Sequence, residues 1–400
     1  MCEDVVVVID GERIADICRA DALTKVEFPI HRCAGMTLLP GLIDSHVHIT
    51  MSPHIHDWIE DANFTPDAKR LLRAAENARE AIACGVTTVR DLGGKRDLVF
   101  AVKDAIDDGT ILGPHLIVAG SPLTCPQGHC YHMGGEVANR DQICRLIGEQ
   151  VDRGAEVVKV MASGGGLTPG TGMTIAAFER DDLALIVDES RRHNKPVSAH
   201  VGPTPVIRQL CELGVDTLEH CLFLTTRGIV MDDEVMRQVK QADSFVIPTR
   251  YQFYCNRNNT ELRGGLKVEI DTTFARLYEA SIEFLESCRA LGVRVAAGSD
   301  AGIPAAMFDS IIGELEVMVI AGYSPVEAVQ SATRLGAEAL RVGHQRGVLA
   351  KGLCADMLLV AGPVHEDISN LRKTRGVFLD GRLVVDNLQQ MNLVDGVPRR

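Results

Sequence analysis

Two histidines stand two residues apart in "LIDSHVHI", at His46 and His48. In an extended segment, side chains at i and i+2 leave the same face. Two imidazoles on one face can bind a single metal ion at about 2.0–2.1 Å. A second pair, His54 and His56, follows in polar sequence beside Pro53 and reads as solvated loop or as a cap near Trp58. The first pair has company elsewhere in the chain. "KPVSAH" closes on His200, "VDTLEH" on His220 and "VRVAAGSD" on Asp300. Each polar residue directly follows apolar sequence, and core packing asks for none of them. His-x-His alone is a weak signal; joined to two further histidines and an aspartate at run ends, it points to a metal centre.

Lys159 lies inside the run "EVVKVMA". An unpaired ammonium within a buried strand is costly, and a buried lysine loses its proton readily. The neutral amine can add carbon dioxide and become a carbamate, an anion with two oxygens. Such a group can bridge two divalent ions about 3.5–4 Å apart. The bland account has the lysine reaching an acid such as Glu156 or extending to solvent. Beside four histidines and an aspartate, the bridging account is preferred.

The elements that must bring these residues together alternate. Short β-branched runs occur at 36–44, 86–91, 115–120, 156–162, 195–200, 215–220, 244–249 and 293–300. Amphipathic patterns such as 65–85, 177–194 and 272–292 lie between them, and two more follow near 308–321 and 325–341. Several end in glycine just before the next run, as in "ACGVTT" and "ELGVDT", which fits a left-handed helix C-cap. Strand and helix in alternation imply parallel β/α units buried on both faces. Eight units over about 300 residues fit an α/β fold of the (β/α)8 TIM type, whose chemistry sits where strands end. The termini differ. "VVVVIDGERIADI" reads as strand, Asp-Gly turn, strand, and "RGVFLDGRLVVD" repeats the signature. The expected organisation is therefore a barrel over 39–343 and a small β-sandwich domain built from 1–38 and 344–400.

Bulk properties narrow the partners. A net charge of −13 disfavours nucleic acid and anionic membrane surfaces, because phosphate binding is dominated by Lys and Arg. No window holds the roughly 18–20 unbroken apolar residues of a membrane span. The N-terminal "MCEDVVVVIDGERIAD" carries acids where a signal peptide needs basic residues, so the protein reads as cytoplasmic. The 12 cysteines form no C-x-x-C pair, and Cys125 and Cys130 read as free thiols. "SGGGLTPGTG" lacks the Lys-Ser/Thr ending of a phosphate loop and reads as a flexible lid beside the metals. Arg90 and Asp91 read as a salt bridge across the barrel mouth.

The motifs "GLIDSHVHI", "VVKVMASGG", "SAH", "TLEH" and "GSDAG" resemble those of the amidohydrolase superfamily of metal-dependent hydrolases, over about residues 1–385. The branch most resembled is the prolidase-like and imidazolonepropionase-like group, and Lys159 argues for its binuclear, dipeptidase-like side. The family usually has another strand before its Asp-Gly turn, so either a trimmed small domain or a late start of the sequence is expected. The resemblance implies that His46, His48 and Asp300 hold one divalent ion, that His200 and His220 hold the other, and that N6-carboxylated Lys159 bridges them. Zinc suits such ligands. A hydroxide between the ions would attack the amide carbonyl, with Asp300 carrying its proton to the leaving nitrogen. It further implies that a His after strand three and a Tyr after strand seven hold a substrate α-carboxylate; His129 and Tyr251 match by position, with His132 and Arg250 beside them. The implied substrate is a small amide, a dipeptide or N-acyl amino acid, and self-association into a homo-oligomer is expected. Alternatives keep the site and change the substrate to a cyclic amide, urea, carbamate or xenobiotic amide. A non-catalytic scaffold would have lost ligands, and none is missing. A mononuclear deaminase would lack the lysine.

Overall fold

The computed structural model describes residues 3–20, 29–55, 58–95, 97–256 and 274–387; His56 lies outside the described residues. Among the described residues fourteen strands form in chain order. The first three are β1 (Val5–Asp10), β2 (Arg13–Arg19) and β3 (Met36–Pro40). The next four are β4 (Leu42–Val47), β5 (Val86–Asp91), β6 (His115–Val118) and β7 (Val158–Met161). Then come β8 (Val197–Pro203), β9 (Thr217–Thr225), β10 (Gly228–Ile229) and β11 (Phe245–Ile247). The last are β12 (Met357–Ala361), β13 (Thr374–Leu379) and β14 (Arg382–Asp386).

The expected staves close into a ring. Parallel ladders join β4 to β5 to β6, and separately β7 to β8 to β9 to β11. Leu123, just past β6, bridges Val160 of β7. Residues 293–300 supply the eighth stave through bridges rather than a continuous ladder: Val295 pairs with Val246, and Ala301 with Val47. Ser45 N–H donates to the Ala297 carbonyl at 3.0 Å, and Asp300 N–H to the His46 carbonyl at 2.8 Å. The result is a (β/α)8 barrel with the predicted strand order.

Helices cover it. They include α1 (Trp58–Phe64), α2 (Asp67–Ala83), α3 (Leu98–Asp107), α4 (Arg140–Asp152) and α5 (Arg180–Arg192). These are followed by α6 (Thr204–Leu213), α7 (Asp233–Gln241), α8 (Tyr251–Asn256), α9 (Phe274–Leu291) and α10 (Ser310–Ile320). On α2, Ala74, Ala78, Ala81 and Ile82 share the buried face, the spacing of one helical stripe. Gly214 caps α6 at φ 70°, the left-handed cap foreseen in "ELGVDT".

Two expectations about segment limits change. The run 36–44 is two strands rather than one. Pro40 ends β3, and at Gly41 a Cβ would lie 2.1 Å from Thr87 Oγ1, so only glycine lets the chain turn into the barrel there. The helix expected over 325–341 splits into α11 (Pro325–Ser331) and α12 (Arg334–Ala339). The break turns carbonyls toward the barrel: Ser331 O accepts from Ala297 N–H at 3.0 Å, and Ala332 O from Ile43 N–H at 2.7 Å.

Both chain ends meet in a four-stranded antiparallel sheet ordered β14-β13-β12-β3. The β1–β2 hairpin shares a hydrophobic cluster with it, in which Ile14, Met357 and Phe378 are buried and Val7, Ile9 and Leu38 pack around them. Asp380 and Gly381 join β13 to β14 with φ 46° and 75°, as a two-residue I′ turn requires. In the N-terminal hairpin Asp10 pairs with Arg13, so Gly11 and Glu12 form that turn rather than Asp10 and Gly11. No helix among the described residues is long and apolar enough to cross a membrane.

His115 ties the sheet to the barrel. It opens β6, and its Nε2 lies 3.4 Å from Asp356 and 3.3 Å from Asp380, next to β12 and β13. Arg346 adds a second cation 3.3 Å from Asp356. Burial lowers the His115 pKa, but the two carboxylates outweigh it and push the value up to about 9. A folded pKa above the unfolded one stabilises fully below about 6.5, and that contribution is lost as pH rises through about 9. Chemical denaturation at pH 6 and at pH 9.5 should reveal a loss on the order of 1–3 kcal/mol that His115→Gln removes. Equal pH dependence in wild type and variant would dismiss the latch.

Candidate metal centre

The ring of staves brings the foreseen polar residues to one place. His46 comes from β4 and His48 from the residue just past its end, Lys159 from β7, His200 from β8 and His220 from β9, with Asp300 at the end of the eighth stave. All six are buried. The Asp300 Oδ1 lies 3.4 Å from His46 Nε2 and 3.3 Å from His48 Nε2. Ligand atoms of these three residues all fall within 4.8 Å of one another. Ring centroids of His46 and His220 are 5.0 Å apart, and those of His200 and His220 are 4.7 Å apart.

Three of the four imidazoles are oriented from behind, while His200 Nε2 faces the Gly164 carbonyl at 3.2 Å. His46 Nδ1 faces Glu219 Oε2 at 2.8 Å, His48 Nδ1 faces the Gly93 carbonyl at 2.8 Å, and His220 Nδ1 faces Thr249 Oγ1 at 2.7 Å. An acceptor behind Nδ1 fixes the tautomer that presents Nε2 to a cation. Burial pulls His46 down to about 4 and His200 and His220 well below the usual value. Neutral imidazoles are ligand-competent. His48 is the exception, since the hydrogen bond and charge of Asp300 outweigh burial and raise it. Asp300 is held well below the carboxylate range despite burial, chiefly by His46 and the His48 hydrogen bond.

Lys159 is 1% exposed, and its Nζ has no hydrogen-bond partner among the described residues. Glu156, the acid it might have reached, lies instead 3.6 Å from Lys103. Burial is the main cause lowering its pKa to about 8. An orphaned amine among four imidazoles and a carboxylate fits a group that binds there. The donors suit divalent transition metals, imidazole and carboxylate being their usual ligands.

The outer contacts were not anticipated. Glu219 accepts from His46, from Ser198 Oγ at 2.8 Å and from Arg90 at 3.0 Å. The Arg90–Asp91 pair expected at the mouth does not form. Arg90 is turned inward to Glu219 and to the Ser45 carbonyl, while Asp91 accepts from the N–H groups of Ile49 and Gly93. Alternation along β5 sends successive side chains to opposite faces, which is the reason. Glu219 could have been suspected from "TLEH", where an acid sits between apolar residues and a ligand.

Of the substrate candidates, His129 reaches the centre. It is buried, its ring lies 4.7 Å from that of His200, and burial with Lys159 nearby lowers its pKa to about 3. The glycine-rich loop packs on it: Thr168 Oγ1 lies 3.2 Å from His129 Nδ1, and a Cβ on Gly165 would be 2.3 Å from His129 Nε2. His132 sits on the 3-10 turn Tyr131–Met133 with its ring 3.6 Å from that of Tyr131. Arg250 and Tyr251 depart from expectation. Arg250 is buried and donates to the carbonyls of His220 and Cys221 at 2.6 and 3.2 Å, with Phe284 under its guanidinium. Those carbonyls are freed by positive φ at His220 and Cys221, and they claim the guanidinium before any substrate can. Tyr251 opens α8, and its ring lies over Gly313 of α10, away from the histidines. Cys125 and Cys130 are free thiols, as read.

A family profile described as the amidohydrolase family matches residues 37–384. Ochratoxinase of Aspergillus niger is 29% identical over 373 residues, covering 85% of this chain and 73% of its own. Imidazolonepropionase of Cutibacterium acnes is 25% identical over 394 residues, covering 89% and 84%. The crystal structure of a prolidase complexed with N-methylphosphonate-L-proline superposes with a TM-score of 0.81 at 26% identity, over 95% of this chain and 94% of that one. A profile spanning the barrel, together with these relatives, makes the chain a member of the amidohydrolase family, a hydrolase acting on carbon–nitrogen bonds.

Proposed function

We propose that the protein is a binuclear metal-dependent amidohydrolase that cleaves an amide bond in a dipeptide or N-acyl amino acid. The observation that carries this reading is Lys159 Nζ, buried with no hydrogen-bond partner among the described residues beside His46, His200, His220 and Asp300. His46, His48 and Asp300 would hold one divalent cation, zinc by ligand chemistry, and His200 and His220 the other. Burial lowers the Lys159 pKa to about 8, which makes the neutral amine easier to reach near pH 7. That amine could add carbon dioxide, releasing one proton, to give a carbamate that would offer the cations two oxygen donors. When bound, the cations would supply charge to polarise the scissile carbonyl and to acidify water.

The remaining steps belong to the chain. Asp300 Oδ1 faces the histidine cluster, and it is the atom able to take a proton and return it to the leaving nitrogen. Glu219 and Thr249 hold the tautomers of His46 and His220. His129, kept neutral by burial, offers a hydrogen bond beside His200 for the substrate's carboxylate or carbonyl. Thr168 and the glycine-rich loop keep that ring in place and shut water out. A second reading has one observation in its favour. With Arg250 and Tyr251 both turned away from the cluster, a neutral cyclic amide, urea or carbamate would meet less mismatch than a carboxylate.

Metal analysis should find about two ions per chain. Lys159→Met should lose both the ions and turnover. In metal-free protein the same change should raise stability on the order of 1–3 kcal/mol, because a buried unpaired amine is removed. A variant that keeps full activity, or is destabilised when metal-free, would defeat the bridging role. A panel of dipeptides and N-acyl amino acids against cyclic amides and ureas separates the two substrate readings. On the favoured class, Gly165→Ala should raise KM more than it lowers kcat by displacing His129; an unchanged KM removes His129 from the substrate site.

A further inference from the structure

Stave seven alone among the neighbours of Asp300 and His220 contributes no expected ligand, yet the segment after it touches both. Gln252, in the first turn of α8, is buried and donates from Nε2 to Asp300 Oδ2 at 2.9 Å. The same nitrogen lies 3.3 Å from Thr249 Oγ1, which lies 2.7 Å from His220 Nδ1. The contacts therefore run without interruption from stave eight, through stave seven, to stave six.

We propose that Gln252 is a positioning residue that locks Asp300 and, through Thr249, His220 into one hydrogen-bonded unit spanning both halves of the metal centre. The inference rests on the binuclear reading above. Chemistry fixes the direction of each bond. An ionised carboxylate only accepts, so Gln252 must present its amide nitrogen, not its oxygen, to Asp300. That nitrogen carries two hydrogens, and the second points to Thr249, whose oxygen must accept. For His220 to offer Nε2 to a cation, its Nδ1 must carry the proton and donate to the same oxygen. Both lone pairs of Thr249 are then taken, one by Gln252 and one by His220. The two oxygens of Asp300 are likewise distinguished: Oδ2 is tied to Gln252, and Oδ1 stays toward His46 and His48.

Backbone conformation adds independent support. His220, Thr249 and Asp300 have φ of 67°, 52° and 60°, the left-handed region that a β-branched residue such as threonine strongly disfavours. Such strain persists where surrounding contacts over-determine it, and it clusters at functional sites. Without the left-handed turn at Thr249, the chain would not carry Gln252 back over the end of stave eight. Asn256 secures the other side of the turn, donating to the Gln252 carbonyl at 2.9 Å and to the Pro304 carbonyl at 3.4 Å.

The test uses full-length protein stripped of metal and titrated with zinc against a competing chelator, followed by kinetics on the amide found active. Gln252→Met keeps length and volume but removes both donors. It should weaken zinc binding or turnover by roughly 10–100-fold, as other residues that orient metal ligands do. KM should stay within about threefold, and the unfolding midpoint of the metal-free protein should not move. Thr249→Val should act in the same direction, Thr249→Ser should recover most of that loss, and the double variant should lose less than the two single losses combined. Thr249→Val also decides the matter if Gln252→Met does not fold. Gln252→Met with wild-type zinc affinity and wild-type kcat would overturn the proposal, as would a loss matched by an equal fall in metal-free stability. Wild type that loads two ions beside an unaffected variant sinks only this inference. Wild type that loads none sinks the metal-centre reading and this one with it.

Discussion

Charge brought together where water is excluded is the constraint around which this barrel is arranged. Arg90, Lys159, Glu219 and Asp300 are all buried within the ring of staves. An unpaired ion in such surroundings is expensive, and removing one partner of a buried pair costs more than the pair contributes. Glu219 settles part of the problem, since Arg90, His46, Ser198 and Thr217 all converge on it. Asp300 settles part through His46, His48 and Gln252. Lys159 has no such arrangement. The polypeptide alone leaves one amine unsatisfied, and a ligand that converts the amine to an anion between two cations would satisfy it.

Holding the histidines in place requires the strand ends to leave regular geometry. β8 and β9 change register near Val201 and Pro203, and positive φ occurs at His220, Cys221 and Phe223. These departures turn side chains and carbonyls inward at the face where loops gather. Arg250 stabilises the distorted end of β9 by taking the carbonyls of His220 and Cys221. An arginine on a loop beside a catalytic face resembles a substrate contact in sequence, whereas in space it is a support for a ligand's backbone.

The opposite end of the barrel has a different task. His115, Asp356, Asp380 and Arg346 form an ion-pair network joining β6 to the terminal sheet. A histidine with two carboxylates can resemble a cation site, but Arg346 already supplies positive charge beside Asp356, so the group is complete. Chemistry and attachment are thus kept at opposite ends of the staves, the division usual for this architecture.

The linear chain by itself determined the alternation of strand and helix, the approximate position of most staves and the six polar residues that the fold gathers at one end of them. Apolar runs that end in His or Asp, or enclose a Lys, carry polar groups that packing does not ask for, so they stand out before any folding is known. It also determined that both ends of the chain would carry short strands joined by tight turns, with Asp380-Gly381 as expected in one and Gly11-Glu12 in place of Asp10-Gly11 in the other. What only the tertiary structure decided were the pairings. The partner of Arg90 is Glu219, 129 residues away, rather than the adjacent Asp91. Tyr251 turns to α10, and Gln252, the next residue, turns to Asp300. The break between α11 and α12 exists because two strands elsewhere need its carbonyls. A residue's type and neighbours in sequence state what it can bond to. Which groups it bonds to depends on the closure of the ring, which sets distances between staves that are far apart along the chain.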